Sequence, residues 1–112
     1  KIYNANTVFL LESLRAGCAG FSGIMGNYHP QIYRWLFENQ DHPQAQEMQL
    51  MISAMGQCLQ YPRSAKYYLS LEGVPIVEYS RSNAEVLNPE SKEWAAQMQQ
   101  LTRRLERVLG LA

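Results

Sequence analysis

The sequence predicts an α/β chain that opens with one parallel βαβ unit and continues as helices. Two observations predict it. In residues 1–30, KIYNANTVFLLESLRAGCAGFSGIMGNYHP, two short apolar runs flank a segment with helical apolar spacing. From residue 31 onward the apolar residues recur at i, i+3, i+4 almost throughout, which is the signature of helices that bury one face.

Lys1–Ala5 is a short β-compatible run. Asn6 suits the cap of a helix opened by Thr7, because its side-chain oxygen can accept a bond from an orphan backbone N–H. Val8, Leu10, Leu11 and Leu14 then recur near helical spacing, and Gly17 supplies the left-handed residue that closes such helices. Phe21–Met25 is a second apolar strand, followed by Gly26-Asn27 and the helix-starting Pro30. Two strands joined by one helix pair in parallel, with a right-handed crossover.

Gln31–Asn39 follows as a helix with Ile32, Trp35 and Leu36 on one face. Pro43–Gln60 carries a stripe of Met48, Met51, Ile52, Met55 and Leu59. Pro62 stops it, since proline disfavours the helical region for the residue before it. Arg63–Glu72 forms a shorter helix closed by Gly73, and Val74–Tyr79, interrupted by Pro75, reads as an extended linker. Asn88-Pro89-Glu90 combines cap, first-position proline and first-turn carboxylate. Trp94, Met98, Leu101, Leu105 and Val108, spaced 4, 3, 4, 3, form the expected seam of the last helix, which Gly110 stops. The two strands and their apolar helix call for further sheet beside them, because parallel strands are normally covered and flanked.

The ordered set Y-N-A-N (Tyr3–Asn6), G-C-A-G-F-S-G-I-M-G-N-Y-H-P (Gly17–Pro30), Pro62 with Lys66, Glu72-Gly73 and Arg81 resembles the dihydrodipicolinate synthase/N-acetylneuraminate lyase family. The resemblance implies the C-terminal portion of a (β/α)8 TIM barrel: the last two βα units over residues 1–42, and a C-terminal helical extension over 43–112. It implies a class I aldolase or lyase, in which a lysine forms a Schiff base with pyruvate or another 2-keto acid. That lysine would lie one strand upstream of Lys1, with the remainder of the barrel and a proton-relaying tyrosine. It further implies a homotetramer that needs no cofactor.

By the same resemblance, Ser22 lies beside the bound keto acid and Ala5 matches a glycine close to it, while Lys66 and Arg81 match structural residues of the extension. In a barrel the site lies at the C-terminal strand ends, so Asn6 and Ile24 join Ala5 and Ser22 as candidate substrate contacts. Alternation along the strand turns Ser22 and Ile24 inward when Phe21 and Gly23 face the helices. Where the lyases carry an acidic pair and the synthases G-D-D, this chain has Asn6-Thr7-Val8. Each missing carboxylate forfeits a charge-assisted bond worth about 1.5–3 kcal/mol. A related aldolase acting on a different 2-keto acid is the better expectation.

Other polar residues have plainer readings. Asn27 suits a cap or turn, His29 a helix start, and His42 a loop. Cys18, flanked by small residues, reads as a packing residue. Arg103, Arg104 and Arg107 complement the dipole at a helix C-terminus. Lys1, Lys66 and Lys92 are not placed as nucleophiles.

Composition sets outer bounds. A net charge of zero argues against nucleic acid, which needs clustered positive charge. No run approaches the roughly 20 apolar residues of a membrane span. Cys18 and Cys58 set no disulfide framework, so a reducing cytoplasm is expected, and the two His and two Cys never fall at metal-ligand spacing. The competing function is a non-catalytic helical module that binds another protein through the Met48–Leu59 stripe or the Trp94–Val108 seam.

Overall fold

In a computed structural model of the chain, residues 1–56, 59–81 and 86–111 are described. Strand β1 (Tyr3–Asn4) leads through a 3₁₀ turn (Thr7–Phe9) into helix α1 (Leu10–Arg15), and strand β2 (Gly20–Phe21) follows. A second 3₁₀ turn (Ile24–Asn27) leads into α2 (Pro30–Glu38), then α3 (Ala45–Met55), α4 (Arg63–Leu71) and α5 (Pro89–Val108). The chain divides into two units, Lys1–Gln57 and Cys58–Ala112. The expected division at residues 42/43 falls inside the first, because α3 packs on α1, α2 and the first 3₁₀ turn.

β1 and β2 pair in parallel, Tyr3 opposite Gly20 and Asn4 opposite Phe21. Flanking bonds from the Ala19 N–H to the Ile2 carbonyl (2.7 Å) and from the Ser22 N–H to the Asn4 carbonyl (2.9 Å) extend the ladder by one rung each way. The local βαβ geometry is therefore present, but the barrel is not. Among the described residues the sheet has two strands of two residues each, and 59% of those residues are helical. The (β/α)8 assignment is corrected accordingly: these are helical units, the first bearing a parallel strand pair.

The strands are short for local reasons. The Asn4 side chain accepts the Asn6 N–H (2.8 Å) and ends β1 in an Asx turn, which competes with a ladder. After Phe21 the backbone reaches Gly23 and winds at once into the Ile24–Asn27 turn, so the expected strand over Phe21–Met25 stops at its first residue. One parallel pair fixes direction and register; it does not fix how many strands lie beside it.

The core of the first unit is made by Leu10, Leu11 and Leu14 of α1, Ile32 and Leu36 of α2, and Met48, Ile52 and Met55 of α3, all buried. Met51 and Leu59 are half-buried, so the expected stripe narrows to three residues. The part of the Pro43–Gln60 helix that falls on Gln57 and Cys58 lies outside the described residues. Gly17 and Gly73 close α1 and α4 at φ +98° and +89°, the left-handed conformation that glycine adopts without a Cβ penalty.

In the second unit α4 and α5 pack on each other. Asn88 caps α5 by accepting the Ser91 N–H (2.8 Å), with Pro89 in the first turn. The buried line on α5 is Ser91, Ala95, Met98, Thr102 and Leu105, with Glu106 beside it. It has the expected 4, 3, 4, 3 spacing but is rotated from the Trp94–Val108 seam: Val108 is 58% exposed, and Trp94 and Leu101 are half-buried. Periodicity located the right face to within one ridge. Small residues took the centre, a choice that residue size conceals from a hydropathy pattern. Among the described residues no helix is long and apolar enough to cross a membrane.

Candidate functional site

At the C-terminal ends of the paired strands the first unit holds an open cleft of about 590 Å³. Its floor is laid by the loop after β1. Nested Asx turns shape that loop: the Asn6 N–H donates to Asn4 Oδ1, and the Val8 N–H donates to Asn6 Oδ1 (2.9 Å). Asn4 is anchored in turn, its Nδ2 donating to Ser13 Oγ (2.9 Å), which itself donates to the Leu10 carbonyl (2.8 Å). The expected role of Asn6 as a helix cap is thus met at the head of the Thr7–Phe9 turn.

Gln49 of α3 fixes the loop from beneath. Its Oε1 accepts the Leu11 N–H (2.7 Å), while Nε2 donates to the Thr7 and Val8 carbonyls (2.9 and 3.0 Å) and to Ser53 Oγ (2.9 Å). Ser53 closes the circuit by donating to the Gln49 carbonyl (2.9 Å). A buried glutamine amide so placed satisfies backbone groups at a helix start that would otherwise be orphaned.

Of the four expected substrate contacts, Ala5, Asn6 and Ile24 line this one cleft. Ser22 does not; it is exposed, and its backbone N–H is spent on Asn4. Gly23 is needed, though not for the approach of a helix. A Cβ there would stand 2.6 Å from the Ala5 carbonyl oxygen and 2.3 Å from the Phe21 ring, so the glycine lets the two loops close on each other. Thr7, the next residue of the same strand-end loop, lines it too, and Ser53 and Gly56 complete that side. For Gln49 and Ser53 the only sequence hint was a polar residue one position off the apolar stripe of α3.

Among the described residues, none of the side chains lining the cleft is titratable; its hydroxyl, amide and backbone groups can hold and orient a ligand. His29, expected at a helix start, does precede α2, yet it is wholly buried. Its Nε2 lies 3.2 Å from Tyr33 Oη, its ring stacks on Tyr33, and burial pushes its pKa down to about 4. The remaining polar residues serve the scaffold. Asn27 Nδ2 donates to the Ile24 carbonyl (3.0 Å), His42 Nδ1 accepts the Gln44 N–H (3.0 Å), and Cys18 Sγ donates to the Ile2 carbonyl (3.0 Å).

Lys66 and Lys92 belong to the second unit. Lys66 Nζ donates to the Tyr79 carbonyl, tying the extended 74–79 segment to α4, and Lys92 lies over the Tyr67 ring. Arg103, expected to complement the helix dipole, bridges Glu72 and the buried Glu106 as an ion pair. Among the described residues no group of three His, Cys, Asp or Glu side chains could hold a metal ion. Comparison with protein-family models, with curated proteins and with solved structures gives no match.

Proposed function

We propose that these residues supply the substrate-contacting loops of a Schiff-base aldolase or lyase acting on pyruvate or another 2-keto acid, whose nucleophilic lysine lies outside these 112 residues. The observation that carries the reading is the convergence of Ala5, Asn6 and Ile24 on one cleft at the carboxyl ends of two parallel strands, where ligands of α/β sheets bind. The neutral lining suits the carbonyl and hydroxyl oxygens of a keto acid and its aldehyde partner better than a cationic amine. The competing module reading is weakened by the burial of Met48, Ile52 and Met55 within the first unit, which leaves little of that stripe for a partner protein.

In this chemistry the lysine amine adds to the ketone carbon, water leaves, and the resulting iminium withdraws electrons from the adjacent C–C bond. Borohydride delivers hydride to the iminium carbon and makes the link permanent. The test is borohydride trapping with pyruvate on the whole protein, read by intact mass and peptide mapping. The expected adduct sits on a lysine other than Lys1, Lys66 and Lys92. Absence of any adduct, under conditions that trap a Schiff-base aldolase run in parallel, refutes the proposal. The reading includes a cytoplasmic homotetramer, which light scattering checks.

A further inference from the structure

Beneath the cleft runs a line of buried polar groups that the proposed chemistry does not use. Thr7 lines the cleft; its Oγ1 lies 3.4 Å from Tyr33 Oη, and Tyr33 Oη lies 3.2 Å from His29 Nε2. His29 is 0% exposed, and among the described residues its Nδ1 has no hydrogen-bond partner. Phe21 of β2 also stacks on Tyr33, ring centroids 4.3 Å apart, so the strand pair itself helps hold the tyrosine in place.

The unpartnered nitrogen sets the direction of the chain. A neutral imidazole carries one N–H and one bare acceptor nitrogen. An orphaned buried N–H is the rarer defect, whereas an under-satisfied acceptor is tolerated more readily. The proton therefore belongs on Nε2, which donates to Tyr33 Oη. The tyrosine hydroxyl can then donate to Thr7 Oγ1, and the threonine proton can face a group in the cleft. Burial keeps the imidazole neutral down to about pH 4, so this polarity holds across the ordinary range. The Thr7–Tyr33 separation is long for two hydroxyls, as such bonds often are before a ligand tightens them.

We propose that Thr7 is the ligand-facing end of a Thr7–Tyr33–His29 hydrogen-bond chain that presents its hydroxyl as a donor to a carboxylate or carbonyl oxygen in the cleft, with Tyr33 and His29 as positioning residues. This rests on the cleft being the keto-acid site.

The experiment is ¹⁵N NMR of the His29 imidazole, without and with pyruvate, in the wild-type protein and in Thr7→Ser, Thr7→Val and Tyr33→Phe. The expected results are an Nε2–H tautomer, a pyruvate-dependent shift of the His29 nitrogens, and retention of that shift in Thr7→Ser. Thr7→Val is expected to abolish the shift and weaken pyruvate about tenfold, the loss of one hydrogen bond to a charged group. Tyr33→Phe, which keeps the ring stack and deletes only the hydroxyl, is expected to uncouple His29 from pyruvate and gives the same reading should Thr7→Val disturb the turn. An Nδ1–H tautomer, or unchanged pyruvate binding in both Thr7→Val and Tyr33→Phe, overturns the inference. Successful borohydride trapping alongside those negatives leaves the aldolase reading standing; a His29 response to pyruvate with no trapping does the reverse.

Discussion

Replacing Gln49 with Leu keeps much of the side-chain volume and deletes every polar contact it makes. Four partners lose a bond: the Leu11 N–H, the Thr7 and Val8 carbonyls, and Ser53 Oγ. Ser53 retains the Gln49 backbone carbonyl, and the Thr7 carbonyl retains the Leu10 N–H. The uncompensated groups are therefore the Leu11 N–H and the Val8 carbonyl. A buried polar group left unpaired costs about 1–3 kcal/mol. Val8 is exposed, so water offsets most of its share, and the expected total is about 2–3 kcal/mol. With a urea slope near 1–3 kcal/mol/M, the midpoint falls by roughly 1–2 M. The matching local readout is faster amide exchange at Leu11, since the glutamine protects that N–H from solvent. A stability loss below about 0.5 kcal/mol with Leu11 still protected would refute the idea that α3 holds the cleft loop through this amide.

Other contacts set further outcomes. His29 binds fewer protons folded than unfolded, so stability is intact above its ordinary value of 6.5 and is lost as pH falls toward about 4. At about 1.36 kcal/mol per pH unit the loss approaches roughly 3 kcal/mol, and the gap between wild type and His29→Gln in urea melts at pH 7 and pH 4.5 should shrink correspondingly. Gly23→Ala forces the Ala5 carbonyl away from β2 and should cost about 1–3 kcal/mol, with weaker pyruvate binding by calorimetry. Ala95→Leu overpacks the buried line of α5 by a similar amount, whereas Val108→Ser should leave the thermal midpoint within a degree or two. Arg103→Gln leaves the buried Glu106 without its guanidinium and should cost about 1–2 kcal/mol, less at high salt.

Much of this architecture was legible in the residues. Asn6 and Asn88 as caps, Pro89 at a helix start, Gly17, Gly73 and Gly110 as left-handed stops, and Ile32, Trp35 and Leu36 as a buried face are local chemistry, and each occurs as expected. What failed was non-local. The resemblance at Gly17–Pro30 implies a closed sheet, but strand number depends on pairing partners that no local pattern specifies. The seam of α5 missed by one ridge because Ser91, Ala95 and Thr102 bury by fit and not by hydrophobicity. Within the site, Ala5, Asn6 and Ile24 converge because the parallel register brings the two loops together. Ser22 misses it because its strand ends at Phe21. Tyr33 and Gln49 reach the Thr7–Leu11 segment from 26 to 42 positions away, beyond the reach of any spacing rule.

The proposed function requires a 2-keto acid to enter the cleft at the two strand ends. Amide chemical-shift mapping of a pyruvate titration reads this residue by residue. The expected result is saturable perturbation confined to Asn4–Val8, Ile24, Met25, Ser53 and Gly56, with α4 and α5 silent. Perturbation scattered over the surface, or none up to millimolar pyruvate, where even a contact worth about 4 kcal/mol would register, contradicts it.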